Sequence, residues 1–281
     1  MAKELVREGV AEQITRQLRE SIHASRLRHG QALSSTRQLA EEWGVSAQTI
    51  HAALAPLITE GLVLSRDRAG RTVNAPWQEE TPTVARPERP QVVLIGGYAG
   101  SGKTELGRMI VRETGWGMFD KDSTTRAVVE AALGALGQSP SDREGLTYLN
   151  VIRPAEYEAL MDAMAENMAC GACVVVTAPF LRELSNPGWL SQVKARCDEL
   201  QATLNVVWVA ADAESMRGYI KHRGARRDDW KLANWDDYLA GIDLDFRPNF
   251  PHVVVNNSRG HSRTLHDQVK ELVSNITETA R

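Results

Sequence analysis

The sequence predicts an α/β protein of two domains, in which a small helical domain precedes a five-stranded parallel sheet covered by helices on both faces. Three observations lead to this prediction. The chain has 281 residues, and a single domain usually takes about 100–200. Residues 76–90 contain four prolines and no periodic apolar pattern, as expected of a semi-extended linker. The stretch GGYAGSGKTEL, which begins at Gly96, follows the apolar run VVLI.

Composition and charge limit the possible functions. No apolar run approaches the roughly 18 residues that a membrane span needs, and the N-terminus lacks the apolar core of a signal peptide. We therefore expect a cytoplasmic protein with no membrane partner. The net charge of −3 argues against wholesale electrostatic binding of nucleic acid. Residues 1–75 carry ten Lys or Arg and eight Asp or Glu, a net charge of +2 that leaves −5 for the remainder. This asymmetry permits a DNA-binding N-terminal part.

The cysteine pattern favours a structural role over redox chemistry or metal binding. Cys170 and Cys173 are spaced as in redox or metal motifs, but a zinc site needs a second pair of ligands that this sequence lacks. Together with Cys197 they are interpreted as buried structural thiols at a helix end and a strand start.

The N-terminal residues predict helices. Residues 10–25 place apolar side chains four apart, which gives one helical stripe. Ser34 or Ser35 can cap a short helix over residues 36–43 that ends at Gly44. A tight turn at this glycine connects that helix to the next one.

A second helix and a hairpin complete the domain, which we assign to residues 1–75. Ser46 can cap the helix, and two helices joined by a tight turn form a helix-turn-helix. Residues 61–64 and 71–73 predict the strands of a β-hairpin, or wing.

These motifs resemble the winged-helix DNA-binding domain of the GntR family of bacterial regulators. The matching residues are Gly30, Leu33, Ser35, Arg37, Leu39, Ala40, Gly44, Val45, Ser46, Thr49, Ile50, Ala53, Leu54, Leu57, Glu60, Gly61, Leu62, Gly70, Arg71, Thr72 and Val73. A recognition helix enters the major groove by its N-terminal end, and basic residues elsewhere suit phosphate or minor-groove contact. The residues expected to contact DNA are Ser35, Arg37, Ser46, Gln48, Thr49, His51 and Arg71.

The sequence departs from this family at three positions. Family members usually carry arginine where this chain has Ala47 and His51, and proline where it has Ser34. Two missing cations remove strong contacts to DNA, so a winged helix retained for protein contacts or dimerisation stays a second interpretation. The resemblance implies a homodimer that binds a double-stranded DNA operator.

The glycine-rich stretch is a phosphate-binding loop of the pattern Gly-x-x-x-x-Gly-Lys-Thr. Its glycines allow successive backbone N–H groups to point at an anion, and the positive end of the following helix adds to their effect. The lysine would neutralise β- and γ-phosphate oxygens of ATP, and the threonine would ligate Mg²⁺. The residues expected to bind the nucleotide are Gly97, Ala99, Gly100, Ser101, Gly102, Lys103, Thr104 and Glu105.

Strands and helices alternate through the rest of the chain, which predicts a parallel sheet. The predicted strands are residues 92–95, 116–119, 173–177, 204–209 and 252–255. The predicted helices are residues 105–112, 124–136, 154–169, 212–222 and 262–277. This pattern resembles the P-loop small-molecule kinases, a group that includes gluconate and shikimate kinases, chloramphenicol phosphotransferase and zeta toxins. We assign residues 91–281 to such a kinase-like domain and residues 76–90 to the linker.

The resemblance implies ATP and Mg²⁺ as cofactors, and it implies catalytic roles. Asp120 and Asp122 look like the Asp-x-Asp of shikimate-type kinases. By that likeness Asp120, with Thr104, would hold Mg²⁺, and Asp122 would orient or deprotonate the acceptor hydroxyl. The structural alternative is a solvated turn or a helix cap. The third strand lacks the usual acidic residue at its end, so Asp120 must take the metal role, or turnover is weak.

A basic segment follows a predicted helix at residues 223–231. By the same resemblance it would be a mobile lid, in which Arg223 and Arg227 neutralise charge during phosphoryl transfer together with Lys103. A solvated basic face is the alternative. Asn256, after the last strand, would lie near the adenine ring.

A polar cluster is expected where such kinases bind the acceptor. Its members are Arg126, Asp142, Arg143, Tyr148, Arg153, Glu156 and Tyr157, of which Arg126, Arg153 and Tyr157 are the chosen substrate-binding residues. The sequence thus favours an ATP-dependent phosphotransferase that acts on a small hydroxylated metabolite. The alternative is a transcription regulator whose kinase-like domain binds ATP as an effector. Action on nucleic acid ends is disfavoured, because the acidic C-terminal part shows no basic stripe.

Overall fold

The computed structural model describes residues 9–66, 70–78, 87–225 and 228–279. Arg227, one of the two arginines predicted for the lid, lies outside these described residues. Within them, no helix combines the length and the apolar character needed to cross a membrane.

The N-terminal part forms three helices and an antiparallel hairpin. These elements are α1 (Val10–His23), α2 (Thr36–Trp43), α3 (Ala47–Thr59), β1 (Val63–Arg66) and β2 (Gly70–Val73). Ser35 caps α2 by accepting a hydrogen bond from Gln38 N at 3.3 Å, and Ser46 caps α3 by accepting one from Thr49 N at 3.1 Å. Gly44 ends α2 with a φ of 63°, a left-handed conformation that glycine adopts without a steric penalty. The predicted helix-turn-helix and wing are therefore formed.

One apolar cluster holds this domain together. Side chains from one face of α1 pack against α3 and the hairpin, because residues three and four apart share a helix face. The buried members are Ile14, Leu18, Ile22, Leu39, Ile50, Ala53, Leu54, Leu57, Leu62, Val63, Val73 and Ala75.

The remainder of the chain alternates strands and helices. Its strands are β3 (Gln91–Gly96), β4 (Gly117–Asp120), β5 (Val174–Thr177), β6 (Thr203–Ala210) and β7 (Val253–Asn256). Its helices are α4 (Lys103–Thr114), α5 (Lys121–Ala135), α6 (Arg153–Ala169), α7 (Leu181–Leu184), α8 (Pro187–Glu199), α9 (Ala213–Arg223), α10 (Asp229–Ala233), α11 (Trp235–Ala240) and α12 (Leu265–Thr279). A π-helical turn, Tyr148–Ile152, leads into α6.

The five strands form one parallel sheet in the order β4-β5-β3-β6-β7. All six residues of the central strand β3 are buried. Val92 and Leu94 contact the cluster that includes α6 and α8, whereas Val93 and Ile95 contact the cluster that includes α4 and α12. Side chains alternate between the two faces of a strand, so a strand covered on both sides must be apolar throughout. The predicted fold class is confirmed.

The structure shifts some predicted boundaries. Helix α5 starts three residues before the predicted residue 124, because Asp120 caps it by accepting a hydrogen bond from Ser123 N at 2.9 Å. Helix α8, which was not separately predicted, starts with Asn186 as its cap and proline as its first residue.

Helix α1 packs against the second domain as well as within its own. Ala24 is buried in the apolar cluster formed by β3, α4 and α12. The Arg26 guanidinium, through Nε, lies 2.9 Å from the Glu105 carboxylate, and the imidazoles of His23 and His266 stack with centroids 3.9 Å apart. The winged helix is therefore docked through apolar, ionic and aromatic contacts.

Two local predictions need correction. At the start of the predicted extended linker, Pro76–Gln78 forms a 3₁₀ turn. The Gln78 side chain connects this turn to α1 by donating to the Ile22 carbonyl at 2.6 Å. Residues 79–86 lie outside the described ranges. Cys170 is exposed, because it follows the last residue of α6 at the surface. Cys197 is buried, and burial raises the pKa of its thiol to about 11.

Candidate nucleotide-binding site

The loop between β3 and α4 has the backbone that its glycines predict. Gly97, Gly100 and Gly102 have φ values of 152°, 79° and 99°. A Cβ at Gly100 would lie 2.6 Å from the Met216 carbonyl oxygen, and one at Gly102 would collide with the Asn257 amide. Only glycine fits these positions, because side chains are excluded both by conformation and by close neighbours.

Two polar side chains of the loop, those of Lys103 and Ser101, lie against the loop itself or are buried within it. The Lys103 ammonium donates to the Tyr98 carbonyl at 2.7 Å, so it lies folded over the loop. Ser101 is 1% exposed, and its Oγ has no hydrogen-bond partner among the described residues. Buried hydroxyls are normally hydrogen-bonded, and a phosphate oxygen held by the loop would provide the missing partner. The loop therefore fits a bound phosphate chain.

Asp120 is held at the mouth of this loop by two threonines. Its Oδ2 accepts hydrogen bonds from Thr104 Oγ1 at 2.9 Å and from Thr177 Oγ1 at 2.6 Å. Residues 120 and 177 are paired across β4 and β5, and both strands end beside the loop. Parallel strands present their carboxyl ends at one edge of the sheet, where ligands bind. At the end of β5, where an acidic residue is usual, Thr177 thus supplies a hydroxyl that orients Asp120.

The oxygen atoms of Thr104 and Asp120 suit a hard cation. Mg²⁺ is bound in nucleotide sites through one or two protein oxygens together with waters and substrate phosphates. The described residues contain no cluster of three His, Cys, Asp or Glu that could hold a metal ion by itself. An ion at this position would therefore depend on the phosphates of a nucleotide.

A cavity of about 990 Å³ opens in front of the loop. Its loop side is formed by Gly100, Gly102, Lys103, Thr104 and Glu105. Further lining residues between the end of β4 and the segment after α5 are Asp120, Asp122, Ser123, Arg126, Glu130, Ser139, Pro140, Ser141 and Arg143. Those from α9 onward are Tyr219, His222, Arg223, Ala225 and Asn257. Gln17, Glu20 and Arg26 of the winged helix, with Arg108, complete the lining. This volume lies at the upper end of the range of about 300–1,000 Å³ that is typical of ligand pockets.

The Glu105 side chain lines this cavity and is 14% exposed. Burial raises its pKa, and the negative charge of Asp120 acts in the same direction. Arg26 and Arg108 oppose that effect. The first turn of the loop helix therefore carries an acidic group that depends on two arginines, one from each domain.

The end of α9, which precedes the segment predicted as a lid, contacts both the cavity and the winged helix. Arg223 lines the cavity and forms an ion pair with the buried Asp228 carboxylate at 2.6 Å. Next to it, the His222 imidazole stacks on the Trp43 ring of α2 with centroids 4.3 Å apart. Burial lowers the pKa of His222. The end of α9 thus adjoins the turn before the recognition helix.

The predicted acceptor cluster divides into two groups. Arg126 and Arg143 line the cavity. Arg153 instead forms an ion pair with Glu183 at 2.9 Å and stacks over the Tyr157 ring at 4.3 Å. Tyr157 is 6% exposed and packs in the apolar core, where burial raises the pKa of its hydroxyl. The structure does not bring Arg153 and Tyr157 to the cavity.

A buried ion pair that the sequence pattern did not indicate joins Lys121, the residue between Asp120 and Asp122, to Glu156. The Lys121 ammonium donates to both Glu156 oxygens, at 3.1 and 3.2 Å, and both side chains are 5% exposed. Thr125 Oγ1 also donates to Glu156 at 2.5 Å. The pair fixes α5 against α6, and α5 carries Asp122 into the cavity.

The residue after β7 that faces the loop is Asn257 rather than Asn256. Asn257 Nδ2 donates to the Ser101 carbonyl at 3.0 Å, and this residue lines the cavity. The Asn256 side chain accepts from Ser258 N at 2.8 Å, and Asn256 does not line this cavity. The strand-end periodicity alone could not distinguish these two neighbours.

The predicted DNA-contacting residues lie on a single surface of the winged helix. Arg71 of the wing donates to Thr36 Oγ1 at 2.8 Å and lies 3.4 Å from His51 Nδ1. The wing is therefore joined to the starts of α2 and α3. The exposed members of this surface are Ser35, Arg37, Ser46, Gln48 and His51, and Thr49 is half-buried beside them.

The glycine-rich loop between a buried strand and a helix, within a five-stranded parallel sheet, defines a P-loop protein with a kinase-like domain. A family model described as AAA domain matches residues 92–244, which is more than half of the 281 residues. The chain belongs to this AAA domain family. A model described as bacterial regulatory proteins of the gntR family matches residues 10–73, so both predicted resemblances are confirmed.

Similar proteins include kinases. A shikimate kinase from Moorella thermoacetica is 32% identical over 102 residues, which are 35% of this chain and 56% of that enzyme. The match thus spans little more than half the length of this curated relative. The structure of a candidate kinase from Chloroflexus aurantiacus j-10-fl has a TM-score of 0.50 and 17% identity, covering 66% of this chain and 98% of the other. A gluconokinase from Sinorhizobium meliloti 1021 has a TM-score of 0.42 and 16% identity, covering 69% of this chain and 95% of the other.

Proposed function

We propose that the protein transfers the γ-phosphate of ATP to a hydroxyl group of a small anionic metabolite. The observation that carries this proposal is the position of Asp120. Its Oδ2 accepts hydrogen bonds from both Thr104 and Thr177 at the mouth of the phosphate-binding loop, and Asp122 lines the same cavity. Two carboxylates beside a phosphate site suit a metal-binding role and an acceptor-orienting role.

Each residue of the loop has a distinct role in this reaction. Backbone N–H groups between Gly97 and Gly102 bind the phosphate oxygens, and Lys103 neutralises their charge. Thr104 and Asp120 would hold Mg²⁺, which supplies positive charge to the phosphates when bound. Asp122 orients the acceptor hydroxyl and receives its proton. Arg223 adds positive charge from the lid side after exchanging Asp228 for a phosphate oxygen.

The class of acceptor follows from the polar residues that α5 and the segment after it contribute to the cavity. Arg126, Ser139, Ser141 and Arg143 are among its lining residues. Guanidinium groups suit carboxylate or phosphate, and hydroxyls suit neutral polar groups. The acceptor is therefore a small hydroxylated anion, and the similarity to a shikimate kinase makes shikimate the first compound to test.

A second function is favoured by a specific observation. Gln17, Glu20 and Arg26, which belong to the winged helix, line the nucleotide cavity. The protein would then act as a transcription regulator in the cytoplasm, binding operator DNA as a homodimer and responding to nucleotide. A ligand changes DNA affinity only if it binds differently to the DNA-competent and DNA-incompetent states.

The kinase proposal is tested with purified protein, Mg-ATP and each candidate acceptor, with ³¹P NMR used to detect a new phosphate ester. Asp122→Asn should abolish transfer and leave ATP affinity, measured by calorimetry, unchanged. Asp236→Asn, a change of the same type at an exposed position of α11, serves as the control. Full transfer by Asp122→Asn would refute the assigned role.

The regulator proposal is tested by binding of the protein to its own upstream DNA, measured by fluorescence anisotropy at fixed salt. Titrations are run without nucleotide, with Mg-ADP and with Mg-ATP. A several-fold change in DNA affinity with nucleotide is expected from sensing. A DNA affinity that is the same with and without nucleotide would contradict the regulator proposal.

A further inference from the structure

One face of α1 is fixed against the elements that surround the nucleotide cavity. Arg16 donates to the Tyr219 hydroxyl at 2.5 Å and to the Ser258 carbonyl at 3.1 Å. Arg259 donates to Gln13 Oε1 at 2.7 Å. Helix α9 and the loop after β7 are thus joined to the first helix of the winged helix. Positions 13, 16, 17 and 20 lie on one helix face, so the same face continues over the cavity.

Gln17 lies on this face, and its side chain has unused hydrogen-bonding capacity. Its side chain is 5% exposed and lines the cavity, and its Oε1 has no hydrogen-bond partner among the described residues. Buried side-chain oxygens almost always have a partner. Because an amide oxygen only accepts hydrogen bonds, the missing partner is a donor.

The location of Gln17 restricts which part of a nucleotide could supply that donor. The phosphates belong at the loop that begins at Gly97, where the backbone and Lys103 are arranged for anions. Phosphate oxygens are acceptors and cannot pair with an amide oxygen. Tyr219 and Asn257 line the same cavity as Gln17, and Tyr219 adjoins α1 because its hydroxyl accepts from Arg16. The groups that can donate there are the N–H groups of a base and the hydroxyls of a ribose.

We propose that Gln17 of the winged helix binds the nucleoside part of the nucleotide, with its Oε1 accepting a hydrogen bond from the base or the ribose. This inference rests on the proposed binding of ATP by the loop. It assigns part of the nucleotide site to the DNA-binding domain. Bound nucleotide would then contact both domains and stabilise their docked arrangement, because a ligand favours the state in which it makes more contacts.

The test compares two probes, Mg-ATP and inorganic tripolyphosphate, on the full-length protein by calorimetry. Gln17→Leu keeps the volume of the side chain but removes the amide, and Gln17→Met serves if the leucine variant does not fold. ATP affinity should fall about tenfold, the usual effect of losing one well-made hydrogen bond in a buried site. Tripolyphosphate affinity should not change. The melting temperature without ligand should stay the same or rise, because a buried oxygen without a partner has been removed.

Two results would overturn the inference. Unchanged ATP affinity in Gln17→Leu would mean that the side chain does not contact the nucleotide. An equal loss of ATP and tripolyphosphate affinity would mean that Gln17 acts only by supporting the loop. Gln192→Leu, the same change at an exposed glutamine of α8, is the matched control. Failure of the wild-type protein to bind either probe would instead refute the proposed function. Lys103→Ala, which removes the lysine of the phosphate-binding loop, shows what loss of binding by the loop looks like in the same assay.

Discussion

The stacked imidazoles of His23 and His266 make the contact between the domains sensitive to pH. Burial, followed by the charges of His266, Arg19 and Lys270, lowers the pKa of His23 to about 4, and Glu60 opposes this effect. In the unfolded chain the pKa is near 6.5. Between these two values the unfolded chain binds more protons than the folded one. Stability is therefore intact above about pH 7 and falls as the pH decreases toward 4.

The expected magnitude follows from proton linkage. For pKa values of 6.5 and about 4, the contribution of His23 to the free energy of unfolding falls by at most about 1.4 kcal/mol between pH 8 and pH 5.5. A chain of 281 residues unfolds with an entropy of about 0.6 kcal/mol/K. The corresponding decrease in melting temperature is about 2 °C.

His23→Phe tests this reasoning, because phenylalanine retains the stacking but cannot take up a proton. The melting temperatures of the wild type and the variant are measured at pH 8 and pH 5.5 by calorimetry. The wild type should lose about 2 °C more than the variant over this range. His261→Gln, at an exposed position, should behave like the wild type. An equal loss in wild type and His23→Phe would refute the argument.

Three further substitutions have defined outcomes. Gly102→Ala should abolish ATP binding in calorimetry, because its φ is 99° and a Cβ would collide with the Asn257 amide. Lys121→Met leaves the Glu156 carboxylate buried without its cation, and it should lower the free energy of unfolding in urea by about 3–5 kcal/mol. Arg71→Gln should weaken operator binding uniformly across sequences and reduce the salt slope of the affinity by about one, as expected for loss of a phosphate contact.

Matched substitutions separate these effects from general disruption. Gly134→Ala places a methyl group in open space on α5, and ATP binding should be retained. Lys194→Met removes an exposed pair with Asp198, which is worth less than about 1 kcal/mol. Arg182→Gln, at an exposed position of the second domain, should leave DNA affinity unchanged. Retained ATP binding in Gly102→Ala, or loss of less than about 1 kcal/mol in Lys121→Met, would contradict the corresponding argument.

Much of the fold and part of the candidate site could be predicted from local patterns. The glycines of the loop, the caps Ser35 and Ser46, and the apolar run of β3 each have a local physical cause that a sequence displays directly. The predicted start of α5 was three residues late, because Asp120 caps this helix by accepting from Ser123 N. The same carboxylate also accepts from Thr104 and Thr177. Partners 16 and 57 residues away leave no mark on local periodicity.

The sequence by itself determined the order of the elements, the phosphate-binding loop and the helix-turn-helix, because propensity, capping and glycine conformation act over a few residues. Tertiary structure alone decided which polar residues meet. It directed Arg153 and Tyr157 away from the cavity and brought Arg126 to it. It also placed Gln17 of the first domain in the lining of the cavity that the loop of the second domain borders. Such contacts join residues far apart in the chain, and they depend on how packed surfaces fit together.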